Sequence, residues 1–584
     1  MTTSDALETL YSRGVELLNL HQPAAAVDVL RQGLVMDPGN ADFHHVMGLA
    51  LAALGQRAAA LASYDAAIRI DPYMAVIYLN RGVTLHEMGR LTEALDNFTH
   101  SITLEPNNPI AHANKATILS EMRRPAEAVA SLDRALQLKP TYPFLRGLRL
   151  LNKMVTCDWI GVDHDFAQLL QRAERGEQVT APWVLVGLAD KPALQRKIAE
   201  AWAESRPARD ALGPVGTYPH HTRIKLGYYS ADFYRHATTY LIAELFERHD
   251  RSKFEVIAFS FGAQTGDDMQ QRLIAGCDRF IDVRMRSEPE IAALSRELEI
   301  DIAIDLKGLT QGHRLDIFAH RAAPIQVSYL GYPSTMGVPY MDYLVADDVV
   351  IPAVARDFYT ERVVALPSSY QVNDRKRRIS DRTFSRTELG LPETGFVFCS
   401  FNNNFKITPE MFDIWMRILL AVDGSVLWLI EDNGAAARNL RREADRRGVA
   451  GDRLVFAGRI APDEHLSRHR LADLFLDTLP CNAHTTASDA LWVGVPVLTC
   501  PGEGLAARVA ASLVKAMDLP ELIAPTLKDY EEIAVALALN PGRLRTLKEK
   551  MSRNRLTTPL FDTDLFARNI EAAYTQMMAN LPKA

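Results

Sequence analysis

The first 142 residues repeat a pattern of small, apolar and helix-ending residues with a period of 34. The columns that keep this register are Gly14, Gly48, Gly82 and Ala116; Leu17, Leu51, Leu85 and Leu119; Ala26, Ala60, Ala94 and Ala128; and Pro38, Pro72, Pro106 and Pro140. Small residues suit positions where two helices approach closely, and the leucines fill the space between the helices. Each proline ends a helix because it cannot continue the hydrogen-bond ladder. The pattern therefore predicts four stacked pairs of antiparallel helices.

This register resembles the tetratricopeptide repeat. The predicted repeats are 7–40, 41–74, 75–108 and 109–142. Arrays of this kind bind extended peptides or proteins on their concave face. Asn80 and Asn114 hold the sixth position of the third and fourth repeats, and we expect them to contact such a peptide.

Residues 143–220 keep a helical pattern but lose the strict period. We interpret them as degenerate repeat-like helices that join the array to the rest of the chain and end in a turn at 213–216. Three tryptophans in this segment are expected in its core, since large aromatic side chains are mostly buried. They are Trp159, Trp183 and Trp202.

From residue 221 the pattern changes to short β-rich runs that alternate with helical stretches. That alternation indicates βαβ units and parallel sheets. A first lobe at 221–390 and a second lobe at 391–584 are predicted, around an irregular stretch at 366–394. The strand candidates are 224–229, 254–259, 280–283, 301–305 and 325–329, then 396–401, 426–430, 453–456, 474–476 and 497–500. Ligands bind such sheets at the carboxyl ends of the strands, so a cleft between two Rossmann-like lobes is the expected site.

Composition narrows the class of protein. The 584 residues suggest three or four domains, and 48% hydrophobic with 23% charged residues is ordinary for a globular protein. The net charge of −7 gives no basic footprint for nucleic acid, and the basic run at 375–378 is interpreted as a solvated loop. No secretory signal, no membrane span and no Cys-x-x-Cys pair is found in the sequence. Five scattered cysteines indicate free thiols, and we expect a cytoplasmic protein.

The segment 480–489 carries the richest set of polar residues. It follows a predicted strand and opens a helix, and backbone N–H groups at a helix N-terminus attract anions. Thr485 and Thr486 are placed to hold a diphosphate, His484 to contact a nucleotide, and Asp489 to accept hydrogen bonds from ribose. The alternative is ordinary helix capping by one of the threonines.

Two further segments follow strands of the second lobe. Lys406 comes after the strand at 396–401 and can meet a phosphate as a point charge, or it is simply a surface lysine. The run that starts at Ala461 opens a helix on which His465 and Arg468 lie one turn apart. These two residues can frame a base, or they can be an ordinary surface pair beside a capping aspartate.

In the first lobe, His236 follows the first strand and opens a helix, which suits a general base or a group that polarises a substrate. A lone histidine in such a place is often structural. Small residues at other strand ends suggest a sugar pocket. Its candidate residues are Thr310, Gly331, Tyr332 and Pro333.

No metal site is predicted. Sugar transferases that use a metal often hold it with an Asp-x-Asp pair after a strand, but 163–165 and 562–564 follow no strand candidate, and Asp347 and Asp348 are adjacent. We interpret the two spaced pairs as chance or capping. Lys406 and the helix N-terminus would then neutralise charge in place of a metal.

The chain resembles the O-linked N-acetylglucosamine transferases, most closely the bacterial members. The resemblance rests on long stretches in order, from the repeats to the end of the chain. They include 232–236, 323–333, 425–429, 476–486 and 501–512.

The resemblance implies a two-lobed glycosyltransferase fold of the B type, with UDP-N-acetylglucosamine as donor and Ser or Thr hydroxyls of proteins as acceptors. It implies inversion at the anomeric carbon without a metal or cofactor. It assigns the leaving group to Lys406, ribose to Asp489 and uracil to His465 and Arg468. The remaining nucleotide set is Asn403, Ala461, His484, Thr485 and Thr486, and His236 is implied beside the acceptor hydroxyl.

The chain also departs from the animal members. Asn403 replaces a glutamine of the animal members, Phe405 replaces a tyrosine and Ser334 replaces a glycine. The segment that leads to His465 is one residue shorter than in those members. Only Asn80 and Asn114 remain of the asparagine ladder in the repeats. Two alternatives stay open: a related transferase that adds O-fucose or adds glucose to asparagine, and a repeat scaffold without activity.

Overall fold

A computed structural model describes residues 3–206, 212–213, 215–216, 218 and 221–581. The predicted turn at 213–216 includes Pro214, which lies outside the described residues. The chain divides into two compact units, Met1–Lys153 and Met154–Ala584. Across the described ranges, no helix is both long enough and apolar enough to cross a membrane.

The first unit is built from four antiparallel helix pairs, as the 34-residue period predicts. Its helices are α1 (Thr3–Asn19), α2 (Pro23–Met36), α3 (Ala41–Ala53), α4 (Arg57–Ile70), α5 (Ala75–Glu87), α6 (Leu91–Leu104), α7 (Pro109–Glu121) and α8 (Pro125–Leu138). A Cβ on Gly48 would lie 2.5 Å from the Tyr64 ring, and one on Gly82 would lie 2.7 Å from the Phe98 ring. The small-residue column is therefore needed, because an aromatic ring of the second helix packs directly on the first.

A helical segment opens the second unit and packs on its α/β region. Helix α9 (Leu145–Val155) spans the boundary, and α10 (Val162–Glu174), α11 (Pro182–Leu188) and α12 (Pro192–Glu204) follow. Trp202 is buried, and the half-buried Trp159 packs edge-on against Phe412 at 5.2 Å. The expectation for Trp183 was wrong, since this side chain is 39% exposed on the outer face of α11 while the other residues of that helix are buried.

The first sheet has seven parallel strands in the order β3-β2-β1-β4-β5-β6-β7. The strands are β1 (Ile224–Ser230), β2 (Phe254–Ser260), β3 (Arg279–Asp282), β4 (Ile302–Asp305), β5 (Ile325–Ser328), β6 (Tyr343–Asp347) and β7 (Arg362–Leu366). The sequence interpretation missed β6 and β7. Only a six-residue 3-10 helix, Ala353–Phe358, lies between them, and residues 329–342, all of them described, contain no helix, so the alternation of strands and helices breaks off after β5.

The second sheet has five parallel strands in the order β10-β9-β8-β11-β12. The strands are β8 (Val397–Ser400), β9 (Val426–Ile430), β10 (Leu454–Ala457), β11 (Leu474–Leu476) and β12 (Val497–Leu498). All five were predicted, although the bounds of β8, β10 and β12 differ by one or two residues. Three of them, β8, β10 and β11, precede the polar segments on which the candidate site was based.

Helices cover both sheets. They are α13 (Ala237–Arg248), α14 (Asp268–Ala275), α15 (Glu288–Glu297), α16 (Asp316–Ala319), α17 (Pro409–Ala421), α18 (Gly434–Arg446), α19 (Pro462–His469), α20 (Thr485–Val493), α21 (Val509–Ala516), α22 (Leu527–Leu539), α23 (Pro541–Asn554) and α24 (Thr563–Ala579). A single apolar core runs through both lobes.

The last helix returns to the first lobe. Helix α24 packs on α13 and β7, and the Tyr574 hydroxyl lies 3.3 Å from the Tyr228 hydroxyl. Glu571 accepts hydrogen bonds from the His249 ring at 2.9 Å and from the Asp250 amide at 2.8 Å. The predicted boundary between 390 and 391 is untested, but the first lobe includes this late segment of the chain.

Candidate active site

The loop that leads into α20 is held by a buried carboxylate at the end of β11. Asp477 accepts the Ala483 amide at 2.6 Å and the Thr499 hydroxyl at 2.7 Å. Burial raises the pKa of Asp477 to about 6. The loop then delivers His484 to the N-cap position of α20.

The N-terminus of α20 is not capped by a side chain. Thr485 and Thr486 are the first two helical residues, and their backbone N–H groups have no acceptor within the described ranges. The Thr486 hydroxyl donates to Asn402 at 2.6 Å. Helix capping therefore does not explain the threonines, and the free N–H groups together with the helix dipole form a positive end that suits an anion.

Lys406 reaches the same loop from the neighbouring strand. It ends a short 3-10 turn, Asn404–Lys406, after β8, and its Nζ donates to the Asn482 carbonyl at 2.6 Å. Asn402 joins the two segments, because its amide also donates to the Thr478 hydroxyl at 2.9 Å. A cation and an open helix N-terminus are thus brought together at the carboxyl edge of the second sheet.

His484 is a neutral imidazole with an assignable proton. Its Nε2 lies 3.2 Å from the Ala506 carbonyl, which only accepts hydrogen bonds, so the proton is on Nε2 and Nδ1 is the acceptor. Burial, with a smaller effect of Lys406, lowers the pKa of His484 to about 3. The side chain therefore adds no positive charge to this site near neutral pH.

His465 and Arg468, which were expected to frame a nucleotide base, are in contact with each other. The Arg468 guanidinium donates to Nδ1 of His465 at 3.1–3.2 Å, and the His465 ring lies edge-on to Phe401 at 5.0 Å. Burial lowers the pKa of His465 to about 4 and that of Arg468 to about 10. Ala461 begins this helix as its N-cap residue, but its side chain is exposed and does not line the cavity described next.

These segments surround a cavity of about 440 Å³. Eight residues of the predicted nucleotide set line it: Asn403, Lys406, His465, Arg468, His484, Thr485, Thr486 and Asp489. Ala237 and Tyr240 of the first lobe form the opposite wall. The cavity thus lies between the lobes, as expected for two Rossmann-like domains.

Asp489 has a partner that sequence reasoning missed. Arg377 forms a close ion pair with it, and the Arg377 guanidinium also lies over the Tyr240 ring at 5.5 Å. The interpretation of 375–378 as a solvated loop was wrong for Arg375 and Arg377, although Lys376 and Arg378 are exposed. Arg375 pairs with Glu244 and Asp564, and Lys376 pairs with Glu247, because this run crosses carboxylates of α13 and α24.

His236 is the N-cap residue of α13. Its Nδ1 accepts the Thr238 amide at 3.2 Å, so the ring proton is on Nε2. Burial lowers the pKa of His236, the Asp232 carboxylate raises it and Lys307 lowers it. In this arrangement Nε2 is a donor, and a change of tautomer would have to precede proton abstraction at that atom.

The predicted sugar-pocket residues lie around the ends of β4 and β5, outside the 440 Å³ cavity. The Thr310 hydroxyl donates to the Lys307 carbonyl at 2.8 Å, and Tyr332 is buried. A Cβ on Gly331 would lie 1.9 Å from the Leu306 carbonyl oxygen, so glycine is needed for packing there. Pro333, beside Tyr332, is half-buried.

Ser334, the departure from glycine, has a structural partner. Its hydroxyl donates to Gln195 of α12 at 3.1 Å. The serine therefore ties the loop after β5 to the helical segment that opens the second unit.

The described ranges contain no group of three or more His, Cys, Asp or Glu side chains that could hold a metal ion. The two Asp-x-Asp pairs lie at helix N-termini. Asp562 caps α24 by accepting the Leu565 amide at 2.9 Å, and Asp564 pairs with Arg375. Asp163 and Asp165 lie in the first turn of α10.

The sequence pattern of glycosyl transferase family 41 matches residues 214–383 and 382–570. The chain belongs to glycosyl transferase family 41. Tetratricopeptide repeat patterns match residues 48–89, 75–108 and 110–142, which confirms that the N-terminal helices include tetratricopeptide repeats.

Named relatives match about three fifths of the chain. A probable UDP-N-acetylglucosamine–peptide N-acetylglucosaminyltransferase, SEC, of Arabidopsis thaliana is 40% identical over 361 residues, which are 61% of this chain and 37% of the relative. The UDP-N-acetylglucosamine–peptide N-acetylglucosaminyltransferase of Caenorhabditis elegans is 28% identical over 467 residues, 61% of this chain and 41% of the relative. The matched region thus spans about two fifths of the length of these curated relatives.

A solved structure matches the whole chain. It is a mutant of the Thermobaculum terrenum O-GlcNAc transferase, 27% identical with a TM-score of 0.62, and the match covers 100% of this chain and 99% of that chain. Together with the two parallel sheets, it confirms the predicted fold class of a repeat solenoid followed by a two-lobed glycosyltransferase of the B type.

Proposed function

We propose that this protein transfers N-acetylglucosamine from UDP-N-acetylglucosamine to Ser and Thr hydroxyls of proteins, with inversion and without a metal. One observation carries the proposal. The Lys406 ammonium and the uncapped N-terminus of α20 converge on one loop of an interlobe cavity, in a chain of family 41. This is the arrangement that a departing nucleoside diphosphate requires.

The charges of the site support departure of a diphosphate. As the bond to the sugar breaks, negative charge grows on the phosphate oxygens, and preorganised donors and cations stabilise it. Lys406 and the N–H groups of Thr485 and Thr486 would supply that stabilisation. His484 would serve as a neutral contact, since its pKa of about 3 excludes a second cation there.

The rest of the cavity suits a nucleoside. His465 and Arg468 would flank the uracil, and Asp489 would accept hydrogen bonds from the ribose hydroxyls while Arg377 holds its other carboxylate oxygen. His236, with a proton on Nε2, would position the acceptor hydroxyl.

The repeats would capture the protein acceptor. The Asn114 side chain has no hydrogen-bond partner in the part of the chain that the structure describes, whereas the Asn80 side-chain amide already bonds to the His45 ring at 2.8 Å. We place the activity in the cytoplasm, where the five free cysteines would stay reduced.

Mass spectrometry of a cell protein extract tests the proposal. The purified protein is incubated with UDP-N-acetylglucosamine, UDP-glucose or GDP-fucose in separate reactions, with and without a chelator. We expect N-acetylhexosamine on Ser and Thr with the first donor only, and equal yields when the chelator is present. Modification with GDP-fucose, glucose on asparagine, or loss of transfer with the chelator would each refute a named part of the proposal.

A further inference from the structure

Asp190, from the helical segment before the lobes, contacts the loop that follows β12. Its two carboxylate oxygens accept the Glu503 amide at 2.6 Å and the Gly504 amide at 2.7 Å. Burial raises the pKa of Asp190. A carboxylate that accepts two consecutive backbone N–H groups fixes the orientation of both peptide planes.

The loop is shaped for this contact. A Cβ on Gly502 would lie 2.0 Å from the nearer Asp190 oxygen, and one on Gly504 would lie 3.1 Å from the other oxygen. Gly502 does not have a positive φ, so glycine is not needed there for its backbone conformation. Its missing side chain instead leaves room for the carboxylate and for the Ala507 Cβ, which would lie 2.8 Å from a Cβ on Gly502.

The same loop is hydrogen-bonded to the residues of the proposed diphosphate site. Two residues after Gly504, the Ala506 carbonyl accepts the Asn482 amide at 2.9 Å and the His484 Nε2–H at 3.2 Å. The Asn482 carbonyl in turn accepts the Lys406 ammonium at 2.6 Å. A continuous set of hydrogen bonds therefore runs from Asp190 through the loop to Lys406 and to the N-cap of α20.

The helical segment also packs on the lysine turn directly. A Cβ on Gly187, in the helix just before Asp190, would lie 3.0 Å from the Phe405 ring, and Phe405 is adjacent to Lys406. One short segment thus contacts the site twice, through Asp190 at the 502–504 loop and through Gly187 at Phe405. A role in bulk stability alone would not require both to converge on the same cation.

We propose that Asp190 is a positioning residue for transfer: its carboxylate holds the 502–506 loop so that the Ala506 carbonyl orients His484 and the Asn482–Lys406 pair toward the diphosphate. This inference rests on the proposed function for the identity of the ligand. The network itself can be measured in the free protein.

Hydrogen exchange and calorimetry on Asp190→Asn test the role. Asparagine keeps the shape but presents an NH₂ group to one of the two amides, which leaves that donor unsatisfied. We expect exchange at the Asn482 and Gly504 amides to rise about tenfold or more, because the loop opens locally at lower cost. We also expect the Kd for UDP to rise about fivefold to tenfold and kcat to fall with it.

Asp473→Asn is the matched control. Asp473 also accepts a backbone amide, that of Val397 at 3.0 Å, but at the amino end of β8, the opposite edge of the second sheet. It should lower the melting temperature without changing exchange at Asn482 or the affinity for UDP. Equal effects of the two variants would reduce Asp190 to a structural residue and overturn the inference.

A second variant approaches the contact from the other side. Gly502→Ala should push the carboxylate away and raise amide exchange and the Kd for UDP as Asp190→Asn does. Its effect should be smaller when it is combined with Asp190→Ala, because the added methyl then meets no carboxylate and only the Ala507 Cβ remains close, at 2.8 Å. Additive effects would overturn the inference. If the unaltered protein binds no UDP, the proposed function fails, and the exchange and additivity results still decide whether Asp190 orders the Asn482 loop.

Discussion

Arg377 and Asp489 form an ion pair that joins the segment between the lobes to helix α20 inside the interlobe cavity. Both side chains are largely buried, with 10% and 12% of their surface exposed. The guanidinium also lies over Tyr240 of the first lobe. The Asp489 carboxylate, which we propose binds ribose, is therefore oriented by Arg377, a residue that contacts both lobes.

The first prediction follows from this pair. We expect Asp489→Asn and Arg377→Ala each to raise the Kd for UDP, by about tenfold, since a buried charge loses its partner in both. The Kd of the double variant for UDP should be no higher than that of the weaker-binding single variant, because both changes remove the same interaction. Calorimetry with UDP measures all three proteins, and additive losses would contradict a shared role.

The second prediction concerns the leaving group. Lys406→Ala should lower kcat about 100- to 1000-fold, as loss of one preorganised charge at a developing anion typically does. The melting temperature should change little, because within the described residues the ammonium makes one hydrogen bond, to Asn482. Lys528→Ala, at an exposed lysine of α22, is the control and should keep full turnover. Near-normal turnover of Lys406→Ala would refute the assignment.

The third prediction is a pH dependence of stability. The pKa values of His465 and His484 are lowered to about 4 and about 3, so between those values and about 6.5 the unfolded chain binds more protons than the folded protein. Their contribution to stability is therefore present above about pH 6.5 and is lost as the pH falls toward 4.

The variant His465→Gln isolates one of these contributions. The unaltered protein should lose roughly 2 to 3 kcal/mol more than this variant between pH 7 and pH 4. Urea unfolding at a series of pH values measures the difference. A constant difference between the two proteins across that range would contradict the neutral, buried state of His465.

The fourth prediction separates the two asparagines of the repeats. Asn114→Ala should raise KM for protein acceptors more than Asn80→Ala does, because the Asn80 amide is already bonded to His45. Neither variant should change the Kd for UDP, since both residues lie in the first compact unit. Initial rates with a protein acceptor at saturating donor provide the measurement, and an equal KM for all three proteins would argue against acceptor capture by these side chains.

The sequence predicted well those parts of the structure that are formed by residues close to one another in the chain. The repeats show their period directly, and the anion site at the start of α20 lies within the ten residues 480–489. A strand, a loop and a helix N-terminus that follow one another in the chain must also be neighbours in the fold. Their chemistry could be interpreted before the structure was known.

The parts that were missed depend on contacts between distant residues. Arg377 meets Asp489 across 112 positions, and Asp190 meets Glu503 across 313. Nothing in the sequence near Arg377 distinguishes a guanidinium inside the cavity from one in a solvated loop. The strands β6 and β7 were missed for a different reason, since residues 329–342, all of them described, contain no helix and only a six-residue 3-10 helix separates β6 from β7.

The return of α24 to the first lobe has a consequence for synthesis on the ribosome. Phe566, Ile570 and Tyr574 of this helix are buried, in a core that the first sheet shares. While the chain is being made, that face of the first sheet stays uncovered until residues 563–579 emerge, although its own strands are complete by residue 366. The two lobes are therefore expected to mature together after translation, and not one after the other as their order in the chain suggests.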